Sequence, residues 1–234
     1  MTFTCRLADV NVRISALHPA VYSFCAGYET DGPAAFEVEA GQAGIDRERA
    51  RAKHPGLSDA SLEILAVCRG IAERMPLHGA FLFHGSAVAS DGEAYIFAAP
   101  SGTGKSTHAR LWREMPGSRA VMINDDKPLI RVDPDGAATA CGSPWTGKHR
   151  LGAPIAVPLR AICLLERGEE NRIVRLSRSE ALPAMLRQAY RPADPAATAA
   201  TVAMLTRMRA DFWRLACNMD PSAAAVSLRA MKGG

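Results

Sequence analysis

The pattern of apolar and polar positions divides the chain near residue 77. Before that point, two segments alternate apolar with polar residues, as half-buried strands do, and three segments have the spacing or the composition of helices. We therefore expect a small α+β lead-in over residues 1–77, followed by a larger core over residues 78–234. The predicted elements of the lead-in are strands over 3–16 and 36–39 and helices over 18–26, 42–53 and 58–75.

The core begins with short apolar runs that are separated by turn residues, which predicts mainly antiparallel strands. Residues 79–88 and 93–98 flank the sequence Ser90-Asp91-Gly92, and an Asp-Gly pair suits the left-handed turn of a β-hairpin. Such a hairpin would lead directly into the segment that follows residue 98. The strands predicted after it are 119–123, 128–132 and 137–141.

The rest of the core alternates helical and strand-like segments. A helix is predicted shortly after the hairpin, and amphipathic or alanine-rich segments predict three more helices toward the C-terminus. The fold class that follows is α/β, with mixed α+β elements and a largely antiparallel sheet. The predicted helices are 105–115, 177–190, 195–210 and 221–231, and the predicted strands between them are 161–166 and 212–217.

The composition is that of an ordinary globular protein and excludes several classes of partner. Of the 234 residues, 48% are hydrophobic, which is enough for a large buried core. The formal net charge is +4 without a long basic run, so we expect no nucleic-acid partner. The six cysteines lack the spacing of a zinc site, and no apolar run approaches the roughly 18 residues of a membrane span. These features predict a reduced, cytoplasmic protein without a membrane partner.

Candidate chemistry begins in the segment that follows the hairpin. The apolar strand ends at Ala99, and the following residues match the phosphate-binding pattern G-x-x-x-x-G-K-[ST], except that Ala99 replaces the first glycine. Glycines permit a loop whose backbone N–H groups point inward at phosphates, with a helix N-terminus behind them. The residues predicted to bind a nucleotide are Ser101, Gly102, Thr103, Gly104, Lys105, Ser106 and Thr107.

Three of these side chains have more specific predicted roles. Lys105 is expected to reach the β- and γ-phosphates of ATP, and the hydroxyl of Ser106 is placed to ligate the Mg²⁺ ion that bridges them. Thr107 is expected to contact the α-phosphate. The alternative is an ordinary glycine-rich turn before a lysine, which the strand and the helix on either side disfavour.

A second part of a phosphoryl-transfer site follows the next predicted strand. Asp125 and Asp126 end the apolar run, and adjacent residues at a strand end point in different directions. One carboxylate can thus face a metal ion while the other faces an incoming hydroxyl as its base. We assign Asp125 to the metal and Asp126 to the base, and the reverse order is left open. A solvated acidic turn is the alternative.

The order of these motifs resembles a known family. The sequence His84-Gly-Ser-Ala-Val, the loop after Ala99 and the acid pair look like the catalytic domain of HPr kinase/phosphorylase. That domain is itself similar to the nucleotide core of ATP-dependent phosphoenolpyruvate carboxykinase. The resemblance covers about residues 79–170 and implies a P-loop kinase core, a homo-oligomer, and a histidine beside the base, here His84 beside Asp126. A buried strand histidine is the alternative for His84.

The sequence departs from these relatives in a loop after the acid pair. The metal-ligating lysine and histidine set of a carboxykinase has no counterpart, so decarboxylation is not expected. Residues 142–152 are instead rich in turn formers and carry Lys148, His149 and Arg150 beside Trp145. Three donors and an aromatic on one loop predict a recognition element for an anionic or phosphorylated group. A basic surface loop without a function is the alternative.

Together these features predict an ATP- and Mg²⁺-dependent kinase that transfers a phosphoryl group to a hydroxyl. The resemblance implies that the acceptor is a serine of a small protein or peptide. One alternative is a metabolite kinase, which the hairpin disfavours because such kinases place the loop after a strand of a parallel sheet. Another is a nucleotide-binding regulatory module without catalysis, which the intact base disfavours. The predicted catalytic residues are Asp126, Asp125, Lys105 and His84, with Ser106 and Asp125 at the metal and Lys148, His149 and Arg150 at the substrate.

Overall fold

Two β-sheets and seven α-helices make up the parts of the chain that the computed structural model describes, residues 1–52 and 56–233. A three-stranded sheet lies in the N-terminal part and a nine-stranded sheet in the rest, so the fold is mixed α/β as predicted. The strands are β1 (Thr2–Leu7), β2 (Val10–Ser15), β3 (Phe36–Glu39), β4 (Ala80–Leu82), β5 (Ser86–Ser90), β6 (Glu93–Ala98), β7 (Val121–Asn124), β8 (Leu129–Val132), β9 (Ala138–Cys141), β10 (Ala156–Arg167), β11 (Arg172–Leu176) and β12 (Asp211–Cys217). The helices are α1 (Pro19–Phe24), α2 (Gly41–Arg51), α3 (Asp59–Arg74), α4 (Lys105–Glu114), α5 (Arg178–Gln188), α6 (Pro195–Arg207) and α7 (Ser222–Lys232), and a short 3-10 helix spans Met75–His78.

The N-terminal sheet is built from a hairpin and one parallel strand. Strands β1 and β2 pair antiparallel, and β3 adds to β2 in parallel. The prediction of one strand over 3–16 is therefore wrong, because the chain reverses at Ala8 and Asp9, whose φ angles are 50° and 63°. Apolar positions continue on both sides of this two-residue turn, so the alternation alone does not show where the chain turns back.

Helix α3 packs the N-terminal part against the core. Ser58 caps the helix by accepting a hydrogen bond from the backbone N–H of Ser61 at 3.2 Å. The apolar face of α3 belongs to a hydrophobic cluster that includes Ile14 of the small sheet and Leu129 of β8. The two parts therefore share buried surface, and the division at residue 77 stays a prediction.

Several predicted elements have other bounds in the structure. The run 79–88 is two strands, β4 and β5, and the strand predicted over 161–166 is only the latter part of β10. Strand β11 was not predicted because its arginines mask a short apolar alternation. The predicted helix 42–53 is observed as α2, and Lys53 lies outside the described residues. In the described parts of the chain, no helix is both long enough and apolar enough to cross a membrane.

The nine-stranded sheet places β6 between an antiparallel and a parallel neighbour. Strand β6 pairs with β5 across a turn at Asp91 and Gly92, whose φ angles of 52° and 82° confirm the predicted hairpin. On its other side β6 runs parallel to β10, which is also parallel to β12. The hairpin counts as evidence against a metabolite kinase, and the parallel pairing with β10 weakens that evidence. The local sequence cannot reveal β10, because this strand is distant along the chain. The strand order is β4-β8-β9-β10-β6-β5-β7, with β12 on β10 and β11 on β12.

The two faces of this sheet carry separate apolar clusters. On one face, Phe97 of β6 packs against Trp112 of α4, with 5.2 Å between the ring centroids. On the other face, Ile96 belongs to a cluster with Met185 of α5 and Leu205 of α6. Successive residues of a strand point to opposite faces, so β6 holds α4 on one side and the end of α5 on the other.

A buried polar cluster joins α4 to α7. The hydroxyl of Ser227 donates to the carbonyl of Ala224 at 3.0 Å and accepts from Trp112 Nε1 at 2.7 Å. His108 Nε2 lies 2.9 Å from the same hydroxyl oxygen. Because the single hydroxyl hydrogen is already used, His108 must donate through Nε2. Burial lowers the pKa of His108 to about 4, so the ring is neutral at pH 7.

We predict that His108 makes the stability of the protein depend on pH. In the unfolded chain His108 has its ordinary pKa of about 6.5, whereas in the folded protein its pKa is about 4. Between these two pH values the unfolded chain therefore binds a proton at His108 that the folded protein does not. The free energy of unfolding should therefore fall by up to about 3 kcal/mol as the pH is lowered through this window. Urea unfolding at pH 7 and pH 4 measures it, with His108→Gln as the control because its amide donates without titrating. Equal losses in the two proteins would contradict the prediction.

Candidate functional site

One cleft brings together most of the residues predicted for phosphoryl transfer. It has a volume of about 540 Å³ and is lined by the loop before α4, by α4 itself and by the segments that follow β7 and β9. Thr103 and Arg150 are absent from the described residues that line it. The predicted residues that do line it are His84, Ser101, Gly102, Gly104, Lys105, Ser106, Thr107, Asp125, Asp126, Lys148 and His149.

The glycine-rich loop from β6 to α4 has the backbone conformation that requires glycine. Gly102 and Gly104 have φ angles of 81° and 119°, which side chains other than glycine rarely adopt. A Cβ atom built at either position would have no other atom within 4 Å, so conformation rather than space demands glycine here. Gly104 directly precedes α4, whose first N–H groups have no partners within the helix. The loop can therefore offer several N–H donors to an anion.

Lys105 points back at the loop in this structure. Its ammonium group donates to the carbonyl of Ala99 at 2.9 Å and to that of Pro100 at 3.4 Å, and the residue is buried. Burial lowers the pKa of Lys105 below its ordinary value, although the charge of Asp126 opposes this effect. A charged amine held by two neutral carbonyls can turn toward a more strongly accepting anion in the cleft.

Asp125 is held inside the protein at the end of β7. The residue is only 2% exposed, and its Oδ1 accepts from the N–H of Gly147 at 2.6 Å. Its backbone N–H donates to the carbonyl of Leu151, and its carbonyl accepts from the hydroxyl of Ser86. The other carboxylate oxygen, Oδ2, is buried and has no hydrogen-bond partner in the described part of the chain. An unpaired buried carboxylate oxygen is costly, so a cation or a donor at this position would stabilise it.

Asp126 lines the cleft and pairs with two side chains. Its Oδ1 lies 3.5 Å from His84 Nε2, and its Oδ2 pairs with the ammonium group of Lys127. Burial raises the pKa of Asp126, but the hydrogen bonds from His84 and Lys127 outweigh this and hold the pKa well below its usual range. The carboxylate is therefore ionised at neutral pH. The structure thus brings His84 beside Asp126, which is the arrangement that the resemblance implied.

Asn124 orients the acid pair, a role that we did not assign to it from the sequence. Its Oδ1 accepts from the backbone N–H groups of Asp126 at 2.8 Å and Lys127 at 2.6 Å, while its Nδ2 donates to the carbonyl of Ser143 at 2.9 Å. This side chain bends the backbone directly after β7. The two carboxylates consequently enter different surroundings. An asparagine immediately before two acids at a strand end was the available signal.

The predicted substrate loop lies only partly in the cleft. Lys148 and His149 line the cleft, whereas Arg150 has a φ angle of 52° and closes a turn through its N–H and the carbonyl of Gly147. Trp145 is 5% exposed and belongs to a hydrophobic cluster, so the aromatic part of the predicted recognition element faces the interior. The loop therefore offers the side chains of Lys148 and His149 to a ligand. The predicted recognition element also included Arg150 and the aromatic ring of Trp145.

Two arginines that we did not single out from the sequence also line the cleft. Arg110 and Arg113 follow Ser106 at helical spacing along α4, which was the signal that could have identified them. Arg110 pairs with Glu114 at 2.8 Å on the exposed helix surface. Together with Lys105 and Lys148, they make the wall of the cleft basic around the acid pair.

The chain matches a family model and resembles a solved structure. Residues 57–232 match the family described as SynChlorMet cassette protein ScmC. No curated protein matches the chain. The structure of the Hpr(Ser) kinase/phosphatase from Coxiella burnetii is similar with a TM-score of 0.38 and 9% identity, over 65% of this chain and 99% of that chain. The family match spans more than half of the chain. The chain therefore belongs to the SynChlorMet cassette protein ScmC family.

Proposed function

We propose that this protein is an ATP-dependent kinase that transfers the γ-phosphoryl group to a hydroxyl, with a serine of a small protein or peptide as the expected acceptor. The observation that carries the proposal is the meeting of the glycine-rich loop, the acid pair and His84 in one cleft. Phosphoryl transfer requires positioning and charge stabilisation more than covalent chemistry by the protein. The cleft offers side chains for both tasks.

The loop and α4 would bind the phosphates of ATP. The left-handed Gly102 and Gly104 support a loop whose N–H groups can donate to phosphate oxygens, next to the helix N-terminus. Lys105 would leave the carbonyls of Ala99 and Pro100 for the β- and γ-phosphates, which accept hydrogen bonds more strongly. Thr107 would contact the α-phosphate.

The donors near Asp125 fit a magnesium ion. Hydroxyl and carboxylate oxygens are the ligands that Mg²⁺ prefers, and it commonly binds one or two carboxylates together with substrate phosphates. Ser106 and Asp125 line the same cleft, and Asp125 Oδ2 has no partner among the described residues. No group of three or more His, Cys, Asp or Glu side chains in the described ranges could hold a metal, so the ion would depend on phosphate ligands as well. When bound, Mg²⁺ would neutralise charge on the phosphates.

Asp126 is the better candidate for the base, because it is more accessible than Asp125. Its side chain is 24% exposed, whereas Asp125 is buried and held by the N–H of Gly147. Since its pKa is low, Asp126 remains an anion that can orient the acceptor hydroxyl. It would take up the proton as the oxygen bonds to phosphorus and becomes acidic. Lys127 would have to give up part of its contact with Asp126 when the hydroxyl arrives.

The basic wall of the cleft supports an acceptor with negative charge near its hydroxyl. Lys148 and His149 line the cleft together with Arg110 and Arg113 of α4. Cationic side chains near the transferred group can also stabilise charge that develops in the transition state.

The experiment that tests the proposal uses purified protein, γ-labelled ATP and Mg²⁺, with and without lysate from the source cell. A labelled polypeptide is the expected product. Label confined to a small molecule would instead support a metabolite kinase. Tight binding of ATP without transfer to anything would overturn the proposal in favour of a regulatory nucleotide-binding module.

We predict that Gly147→Ala displaces the carboxylates of Asp125 and Asp126, and so lowers the transfer rate, with little loss of stability. A Cβ atom at this position would lie 3.2 Å from Asp125 Oδ2 and 3.2 Å from Asp126 Cβ, so the carboxylates must move. We expect transfer to fall by about tenfold, since a misplacement of about 1 Å can cost about a hundredfold. The rate with labelled ATP and the urea midpoint are measured together. Gly44→Ala is the control, because a Cβ atom there would be similarly crowded, 3.3 Å from the Cβ atoms of Ala40 and Ala66, and Gly44 lies in α2 outside the residues that line the cleft. Equal rates in both variants would contradict the prediction.

A further inference from the structure

Gln188, the last residue of α5, contacts His84 through both its backbone and its side chain. Its carbonyl accepts from the N–H of His84 at 2.8 Å, and its side-chain amide lies 3.0 Å from His84 Nδ1. The other ring nitrogen, Nε2, lies 3.5 Å from Asp126 Oδ1. Gln188 and Asp126 therefore hold the two nitrogens of one imidazole.

The surroundings decide which atom of the Gln188 amide faces the ring. With its nitrogen turned toward His84, the amide lies 3.0 Å from Nδ1, 3.2 Å from the carbonyl of Ala99 and 3.3 Å from the carbonyl of His84. Carbonyl oxygens only accept hydrogen bonds, so an amide oxygen in this place would face two acceptors. The amide nitrogen must therefore face them, and its hydrogens can serve the ring and the loop together.

We propose that Gln188 is a positioning residue that holds His84 in the neutral tautomer with its hydrogen on Nε2. A neutral imidazole carries one hydrogen, and Nδ1 accepts from Gln188, so the hydrogen is on the nitrogen that faces Asp126. The ring then turns its N–H toward the carboxylate, 3.5 Å away, without being charged. In the other tautomer the lone pair of Nε2 would face the carboxylate oxygen and repel it.

The same amide connects His84 to the glycine-rich loop. The carbonyl of Ala99, which Gln188 contacts, also accepts from the ammonium group of Lys105 at 2.9 Å. One carbonyl thus lies between the side chain that serves His84 and the side chain proposed to bind phosphate. Movement of Lys105 toward a ligand would leave Gln188 as a remaining donor to this carbonyl.

The end of α5 is anchored from outside the cleft. The hydroxyl of Tyr190 donates to Glu73 of α3 at 2.7 Å, and the N–H of Ala193 donates to the other oxygen of the same carboxylate at 2.7 Å. The N–H of Tyr190 also donates to the carbonyl of Leu82. These contacts anchor the segment that follows Gln188 to α3 and to β4, outside the cleft.

The test reads the tautomer directly in the full-length, ¹⁵N-labelled protein. Long-range ¹H–¹⁵N spectra of the histidine rings at neutral pH, with His84 assigned by His84→Gln, distinguish hydrogen on Nδ1, on Nε2 or on both. We expect Nε2 alone in the wild type and a mixture of tautomers in Gln188→Leu. In Gln188→Glu the new carboxylate can only accept, so both nitrogens should carry hydrogen. Gln42→Leu changes an exposed glutamine of α2 and should leave the His84 signals unchanged.

The assignment of the His84 tautomer does not depend on the proposed function. The effect of the tautomer on turnover, in contrast, rests on the proposed kinase function. If the protein is a kinase, Gln188→Leu and Gln188→Glu should each lower transfer by about tenfold, with a smaller change in ATP affinity. A wild-type ring with hydrogen on Nδ1, or on both nitrogens, overturns the inference whatever the assay shows. A ring with hydrogen on Nε2 alone in a protein that transfers no phosphate leaves the inference standing and overturns the proposed function.

Discussion

Asp126→Asn is expected to lower phosphoryl transfer by about a thousandfold while leaving ATP affinity nearly unchanged. The loss follows from the removal of the base, since general base catalysis contributes about 10² to 10⁴ to a rate. Asparagine has almost the same shape, so the contact with His84 Nε2 can persist through the amide oxygen. The phosphates would bind to the loop and to Lys105, which the substitution does not change. Transfer of label from γ-labelled ATP and a separate ATP titration measure the two effects.

The control for this experiment is Asp135→Asn, which removes an equal charge from an exposed turn beside Arg209. It should leave both transfer and ATP affinity unchanged. Full turnover in Asp126→Asn would rule out Asp126 as the base, and Asp125→Asn would then test the reverse assignment of the pair. A large loss of ATP affinity in Asp126→Asn would indicate that Asp126 holds the metal.

Lys105→Ala is expected to lower transfer by about 100- to 1000-fold and to weaken ATP binding as well. A cation aimed at the transferred phosphoryl group stabilises charge in the transition state, and loss of one such donor typically costs this much. Binding weakens because the same side chain would contact the phosphates of the ground state. ATP affinity and single-turnover transfer, measured on the same preparation, separate the two contributions.

Lys105→Met separates charge from packing. Lys105 is buried, so alanine removes part of its apolar stem as well as its charge, whereas methionine keeps most of the stem. We expect the two variants to lose transfer to a similar extent and to differ in their urea midpoints. Wild-type turnover in Lys105→Ala would contradict the assignment of this lysine to the phosphates.

Local patterns in the sequence predicted the parts of the site that depend on neighbouring residues. The Asp91-Gly92 turn, the glycines of the loop and the start of α4 at Lys105 are each specified within a few residues. Their physical basis is local as well, because left-handed backbone angles and helix capping depend on the residue itself and its immediate neighbours. The roles of these residues toward a nucleotide remain predictions.

Contacts between distant segments were beyond the reach of the same reasoning. Gln188 stands 104 positions after His84, and no local pattern marks a glutamine at the end of a helix as the partner of a ring nitrogen. The parallel pairing of β6 with β10 is of the same kind. Trp145 was misjudged for the same reason. Its place on a polar, turn-rich loop suggested that the ring is exposed, but the ring packs with the core and is buried.

The sequence by itself therefore determined most of the elements and the glycines of the loop, and it identified the charged residues that were predicted for phosphoryl transfer, although not Arg110 and Arg113. Only the tertiary structure decided that Asp125 meets Gly147 and that Lys105 meets Ala99, whereas the family resemblance had already implied that His84 lies beside Asp126. The physical reason is that backbone conformation is set by local sterics, whereas distances between side chains depend on how the sheet and helices pack. Asp125 and Asp126 illustrate this point. Two adjacent aspartates cannot be told apart in the sequence, and it is the fold that buries Asp125 and leaves Asp126 more exposed.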